Sequence, residues 1–316
     1  MAEPQAPLRV LVCGADHLAL AVSLARAGCR VTLFEPDIHD RTRLSDVLAR
    51  RGRSLPGGLH LTGDPARVEG ADVVLGESPL PPGLAINDAP VLWLDWASAD
   101  GTALHLTELP GRQALLERIG PDTAGGHVAA LGRMLGARVV GLASGTTPPS
   151  QRLMAVLSAE IEALALGGAT PVEVDEALTA SGFSIGPFEA QDLEGIDTCL
   201  VARRAVFARH PGPPELPLFA RAVAEGRLGR KVGVGWYRYP GGGGKVEDPL
   251  VEDLAIEEAR FAGISRSVLD PEAVRVRILS VLQEEAARIA EDTVLTRAEI
   301  DRIAQLALGA PAGAVP

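Results

Sequence analysis

The chain is short of lysine, aromatic residues and cysteine, and each shortage excludes something. Lys231 and Lys245 are the only lysines in 316 residues, and arginine carries the remaining positive charge. Acidic residues outnumber basic ones, 41 to 30, and the net charge is −11. With no basic tract, nucleic acid is not an expected partner. Aromatics make up 3% of the chain, so the core must be built from Ala, Leu, Val and Ile. Cys13, Cys29 and Cys199 are odd in number and scattered. Neither a disulfide framework nor a metal site is expected from them. No unbroken apolar run reaches the roughly 18 residues of a membrane span. The opening MAEPQAPLRV lacks the pattern of a signal peptide. A reducing cytoplasm is the default compartment.

What is present is a series of short apolar runs. LRVLVCG (8–14) reads as a buried strand ending in glycine, followed by a helix, ALAVSLARAG, that stops at Gly28. CRVTLFE, ADVVLG (71–76), VLWLDW (91–96) and ARVVGL (137–142) read as further strands, the last preceded by the helix HVAALGRML. Strands alternating with helices imply an α/β fold with a parallel, Rossmann-like sheet. In such a fold a G-x-G-x-x-G turn after the first strand cradles a pyrophosphate. Gly14, Asp16 and Ala19 occupy the three glycine positions. Gly14 makes the turn and Ala19 is small, but Asp16 puts a carboxylate beside the expected phosphate. Glu35, at the end of the second strand, is spaced to bond ribose hydroxyls, and its charge favours NAD over NADP.

At SGTTPPSQ (144–151) the pattern breaks and the rest reads as helical. TPVEVDEAL opens as a capped helix, with Thr170, Pro171 and Glu173 in the capping positions. A repeat is visible beyond it: residues 152–175 match 277–301, pairing Arg152 with Arg277, Glu160 with Glu285 and Asp175 with Asp301. PGGGGKVED (240–248) reads as the link between copies, and the terminal LGAPAGAVP as a frayed tail. The expected organisation is a Rossmann-like domain over 1–147, an all-α domain over 148–245 and a truncated second helical repeat over 246–316.

SGFSIGPFEAQDLEGID (181–197) and GRLGRKVGVGWYRY (226–239) resemble, in order and spacing, the C-terminal domain motifs of the 3-hydroxyacyl-CoA dehydrogenases. The tandem copy resembles the dehydrogenase part of the bacterial fatty-acid oxidation multifunctional proteins. The motif residues themselves read as turn and packing residues rather than catalytic ones. The resemblance implies NAD-dependent oxidation of a 3-hydroxyacyl-CoA to the 3-ketoacyl-CoA, as in β-oxidation. It places a general base at His105 in LHLTELPGRQALLERIGPDT, with an orienting acid twelve residues on at Glu117. Gln151 stands where the family has asparagine before Arg152 and keeps the amide.

Other positions depart from the family. Glu108 replaces an asparagine, and Ser98 is the stand-in for a serine-bearing loop. An acidic pair is out of register, with Gly76 and Leu80 at its positions and Glu77 one place away. The N-terminal domain is also shortened. These departures leave open a second reading, a catalytically impaired homologue kept for acyl-CoA binding or assembly. A third is a different dehydrogenase of the same superfamily. Since single-repeat relatives dimerise through this domain, the tandem copies are expected to pack on each other within one chain. A homodimer stays open beside the monomer.

Overall fold

The computed structural model describes residues 7–50, 58–68, 70–84, 86, 89–94, 101–121 and 124–315. The chain divides into two compact units, residues 1–108 with 113–148, and residues 109–112 with 149–316.

The first unit is an α/β sheet. Its strands are β1 (Arg9–Cys13), β2 (Arg30–Phe34), β3 (Leu59–Thr62), β4 (Val73–Gly76), β5 (Val91–Trp93), β6 (Ala103–Thr107), β7 (Leu115–Ile119) and β8 (Arg138–Leu142). Helices α1 (Leu18–Arg26), α2 (Ile38–Arg50) and α3 (Gly125–Leu135) connect them. The order β3-β2-β1-β4-β5-β6-β7-β8 is a Rossmann-like arrangement, reversing direction between β1 and β4. Strands of almost pure aliphatic composition are buried on both faces, and Val10, Val12, Leu33, Leu75 and Leu92 form the central core with Leu24 of α1. Gly28 ends α1 at φ 95°, the left-handed conformation that glycine adopts without strain.

The expected parallel sheet needs one correction: β6 and β7 run antiparallel. The connection between them spans only residues 108–114. A parallel pair needs a crossover of roughly a dozen residues or more, so this link permits only a hairpin. Neither strand was expected from the sequence. β7, LLERI, has polar residues that interrupt its apolar run, and β6, ALHLT, carries a histidine at its centre.

The second unit is helical: α4 (Pro149–Gly167), α5 (Pro171–Ala180), α6 (Pro187–Glu194), α7 (Ile196–Phe207), α8 (Pro217–Ala224), α9 (Pro249–Phe261), α10 (Pro271–Asp292) and α11 (Arg297–Ala307). A small antiparallel pair, β9 (Tyr237–Arg238) and β10 (Val246–Glu247), lies between α8 and α9. The link between copies is therefore longer than PGGGGKVED, which forms a turn and β10 before the added helix α9. The scarce aromatics gather here: Trp236 meets Phe188 edge-on at 5.2 Å and Phe219 at 4.7 Å.

The repeat is built twice in the same way. Thr170 and Glu173 cap α5, and Thr296 and Glu299 cap α11 with the same box. The copies then face each other reciprocally. Arg152 Nε donates to Glu285 at 2.6 Å, and Arg277 pairs with Glu160 at 2.7 Å. Because the sequence match equates these positions, each copy gives its arginine to the other's glutamate, as in a two-fold interface.

Asp175 accepts from the Phe188 and Glu189 N–H groups, and its counterpart Asp301 accepts from those of Gly313 and Val315. The terminal segment is accordingly not frayed. Ala310 and Val315 are each 1% exposed, and Ser184 N–H donates to Gly309 O at 2.8 Å. Its proline and glycines suggested a loose tail, but the Asp301 carboxylate and the apolar contacts of its small residues hold it.

The two reciprocal pairs differ in burial, and this predicts unequal costs. Arg152→Met should lower unfolding free energy by about 3–5 kcal/mol, because Glu285 stays buried without that cation. Arg277→Met should cost less, about 1–2 kcal/mol, since this arginine is exposed although its partner Glu160 is largely buried. Urea unfolding followed by tryptophan fluorescence measures both, and equal losses would contradict this account.

Candidate functional site

The candidate site residues fall on three elements. The first is the end of β1. Gly14 has φ 103° and leads into a short 3-10 turn, Ala15–His17, from which α1 starts at Leu18. A side chain at Gly14 would be strained by that φ and would touch the His17 ring. Glu35, just beyond β2, is buried, and its two oxygens accept from Ala15 N–H at 2.8 Å and Asp37 N–H at 2.9 Å. The carboxylate thus fastens the glycine turn to the end of β2. An ionised carboxylate offers about four lone-pair sites, so two bonds leave acceptor capacity for ribose hydroxyls. Glu35 and Gly14 therefore fit the ribose end and turn of a dinucleotide site.

Asp16 and Ala19 are exposed on the turn and the first turn of α1. The turn is tight, and His17 N–H already bonds Gly14 O at 3.3 Å. His17, which had no motif support, pairs through Nε2 with Glu77 at 3.3 Å. Both residues stand at the carboxyl ends of strands next to the switch point. Only the three-dimensional neighbourhood of β1 and β4 reveals that pairing.

The second element is the β6–β7 hairpin. Its register sets His105 directly across from Glu117. Directly opposed residues in an antiparallel pair project to the same face, with Cβ atoms about 4.5–5.5 Å apart. The twelve-residue spacing thus becomes a cross-strand neighbour pair. Glu117 is fully buried, and His105 is half-buried with Nε2 sharing a hydrogen bond of 3.2 Å with Thr107 Oγ1. Burial pushes the His105 imidazole down to about 4, so it is neutral at pH 7, the form a proton acceptor requires.

The third element is the start of α4, where Gln151 is buried in the helical unit beside Met154. Glu108 follows β6 and accepts from the Ser23 hydroxyl of α1 at 3.1 Å. Ser98 lies outside the described residues. Among those residues no His, Cys, Asp and Glu group could hold a metal ion, and no helix is long and apolar enough to cross a membrane.

Residues 150–239 match the family model described as 3-hydroxyacyl-CoA dehydrogenase, C-terminal domain. That match runs from α4 to β9, within the helical unit. The chain is 32% identical over 160 residues to the peroxisomal bifunctional enzyme of Danio rerio, an alignment covering 46% of this chain and 22% of that one. It is 37% identical over 92 residues to a 3-hydroxybutyryl-CoA dehydrogenase of Mycobacterium tuberculosis, covering 28% and 32%. It thus spans a third or less of these curated relatives. Among solved structures, the 3-hydroxybutyryl-CoA dehydrogenase of Escherichia coli K12 shares the fold across nearly the whole chain. The TM-score is 0.65 at 18% identity, covering 98% of this chain and 90% of that one.

The structure explains the dehydrogenase-like motifs. Asp192, from the QDLEG stretch, is fully buried and accepts from Trp236 N–H at 2.8 Å, Tyr237 N–H at 2.9 Å and Tyr239 Oη at 3.0 Å. A Cβ on Gly235 would overlap Asp192, and one on Gly186 would overlap Asp175. The motif glycines are therefore dictated by close carboxylate approach. Burial pushes both Asp175 and Asp192 up to about 6, against the pull of their N–H and O–H donors.

The His105 shift has a definite sign in solution. A folded value near 4, below the ordinary 6.5, means that the unfolded chain binds more protons between those two values. The stability this neutral imidazole contributes is fully present above pH 6.5 and is lost as the pH falls through 4. The loss should reach at most about 3 kcal/mol. His105→Gln should flatten this part of the acid limb in urea unfolding from pH 7 to 4. An unchanged slope in the variant would refute the shift.

Proposed function

We propose that the protein is an NAD-dependent oxidoreductase converting a 3-hydroxyacyl-CoA to the 3-ketoacyl-CoA, and the reverse. The observation that carries this reading is the pairing of His105 with buried Glu117 across β6 and β7, on a Rossmann-like sheet followed by the dehydrogenase C-terminal domain. NAD, when bound, would accept the hydride. His105 is neutral and takes the proton of the substrate hydroxyl, or returns it to the ketone oxygen in the reverse direction. Glu117 orients the imidazole and offsets the positive charge it gains. Gln151 supplies an amide able to donate a hydrogen bond, where the family has asparagine.

Gly14 would shape the cofactor turn, with Asp16 and Ala19 beside it, and Glu35 would hold the ribose hydroxyls when NAD is bound. That carboxylate repels a 2′-phosphate, so NAD is preferred to NADP. The exposed Asp16 carboxylate beside the phosphate turn is the observation favouring the second reading, an acyl-CoA-binding or assembly scaffold. The reciprocal Arg152–Glu285 and Arg277–Glu160 pairs support a monomer with its repeats packed internally. Its free, buried cysteines suit a reducing cytoplasm.

Acetoacetyl-CoA with NADH should give NADH oxidation, and His105→Ala should lower kcat by 100-fold or more while NADH binding by fluorescence is retained. NADH binding without turnover across acyl chain lengths would favour the scaffold reading. Absence of both binding and turnover would overturn the dehydrogenase assignment.

A further inference from the structure

The turn after β1 commits its own amides within the fold. Ala15 N–H donates to Glu35, His17 N–H to Gly14 O and Leu18 N–H to Ala15 O. In a dinucleotide-binding turn the backbone itself approaches the pyrophosphate, and the second glycine permits that approach. Here Asp16 stands in that place, and the 3-10 turn Ala15–His17 takes up the N–H groups around it. A pyrophosphate seated at this turn therefore needs a donor from a side chain.

His17 is the side chain placed to supply it. Its ring lies against Gly14, where a Cβ would be 3.4 Å from His17 Cδ2. Its Nε2 faces Glu77 Oε1 at 3.3 Å. Glu77 directly follows β4, so the pair reaches across the carboxyl ends of β1 and β4. These strands flank the point where the strand order reverses, the crevice in which open α/β sheets bind ligands. A carboxylate only accepts hydrogen bonds, so this approach favours a proton on Nε2, in the neutral ring as in the charged one. A phosphate oxygen is an acceptor of the same kind and suits the same donor.

The two partners are held unequally. The His17 side chain is 18% exposed and that of Glu77 is 62% exposed. The ring is thus fixed in the fold, while the carboxylate lies largely in water, where an ion pair contributes little. Glu77 also adds negative charge to a turn that already carries Asp16 and Glu35, so it opposes an incoming phosphate for as long as it stays. Granted the NAD site proposed above, we infer that Glu77 is a displaceable stand-in for the cofactor's phosphate, and that the pyrophosphate replaces its carboxylate on His17 Nε2. His17 then supplies the phosphate contact that the turn's backbone no longer offers, and Glu77 sets how tightly the cofactor binds.

The two residues should respond in opposite directions when the full-length chain is titrated with NADH by fluorescence. Glu77→Gln removes the competing charge and should lower the Kd about threefold. His17→Leu removes the donor and should raise it about tenfold. Calorimetry with ADP-ribose, which keeps the pyrophosphate, and adenosine, which lacks it, separates a lost contact from a damaged fold. His17→Leu should weaken ADP-ribose about tenfold and leave adenosine unchanged. With NADH bound by the wild type, an unchanged or raised Kd in Glu77→Gln, an unchanged Kd in His17→Leu, or equal losses of ADP-ribose and adenosine would each overturn the inference and leave the NAD reading standing. If neither the wild type nor Glu77→Gln binds NADH, the inference and the NAD reading both fall.

Discussion

The recurring device in this protein is a carboxylate that takes backbone N–H groups from another segment, or from the turn that follows it. Glu35 holds Ala15 and Asp37, Asp175 holds Phe188 and Glu189, Asp192 holds Trp236 and Tyr237, and Asp301 holds Gly313 and Val315. Each bond to a charged acceptor contributes roughly 1.5–3 kcal/mol, well above a neutral pair. With few aromatics to lock loops by packing, acidic side chains do that work. Glycines are required where the backbone meets these groups closely, as Gly186 and Gly235 do. A net charge of −11 is therefore partly an internal feature.

The same logic extends to the tandem repeat. Its reciprocal Arg–Glu pairs link α4 and α10, and the shared Asp175 and Asp301 positions anchor the segments that succeed α5 and α11. The outward face of α10 is mainly polar, with Ser280, Glu284 and Glu291 exposed.

In the sheet, register performs the equivalent task. Side chains alternate faces along a strand, so a slip of one residue between β6 and β7 would separate His105 from Glu117. The short hairpin connection and the buried apolar residues of both strands prevent that slip. Half-buried His105 stays neutral, while the fully buried Glu117 lies across the hairpin from it. The chemistry proposed for this pair depends on strand geometry as much as on residue type.

Much of this could be read from the sequence because it is local or periodic. The apolar strands, the Gly28 stop, the Thr170 cap and the repeat match need only a short window, and the dehydrogenase-like motifs mark residues within 150–239. Gly14 and Glu35 were legible as a turn and a strand-end acid from spacing alone. The hairpin of β6 and β7, the ordered tail and the His17–Glu77 pair were not. Each depends on which distant segment arrives beside a polar group. Sequence by itself determined which residues could turn, cap, pack or carry charge, since those are properties of single residues and their near neighbours. Tertiary structure alone decided which carboxylate meets which N–H and how deeply each is buried, because desolvation and hydrogen bonding depend on the whole surrounding shell.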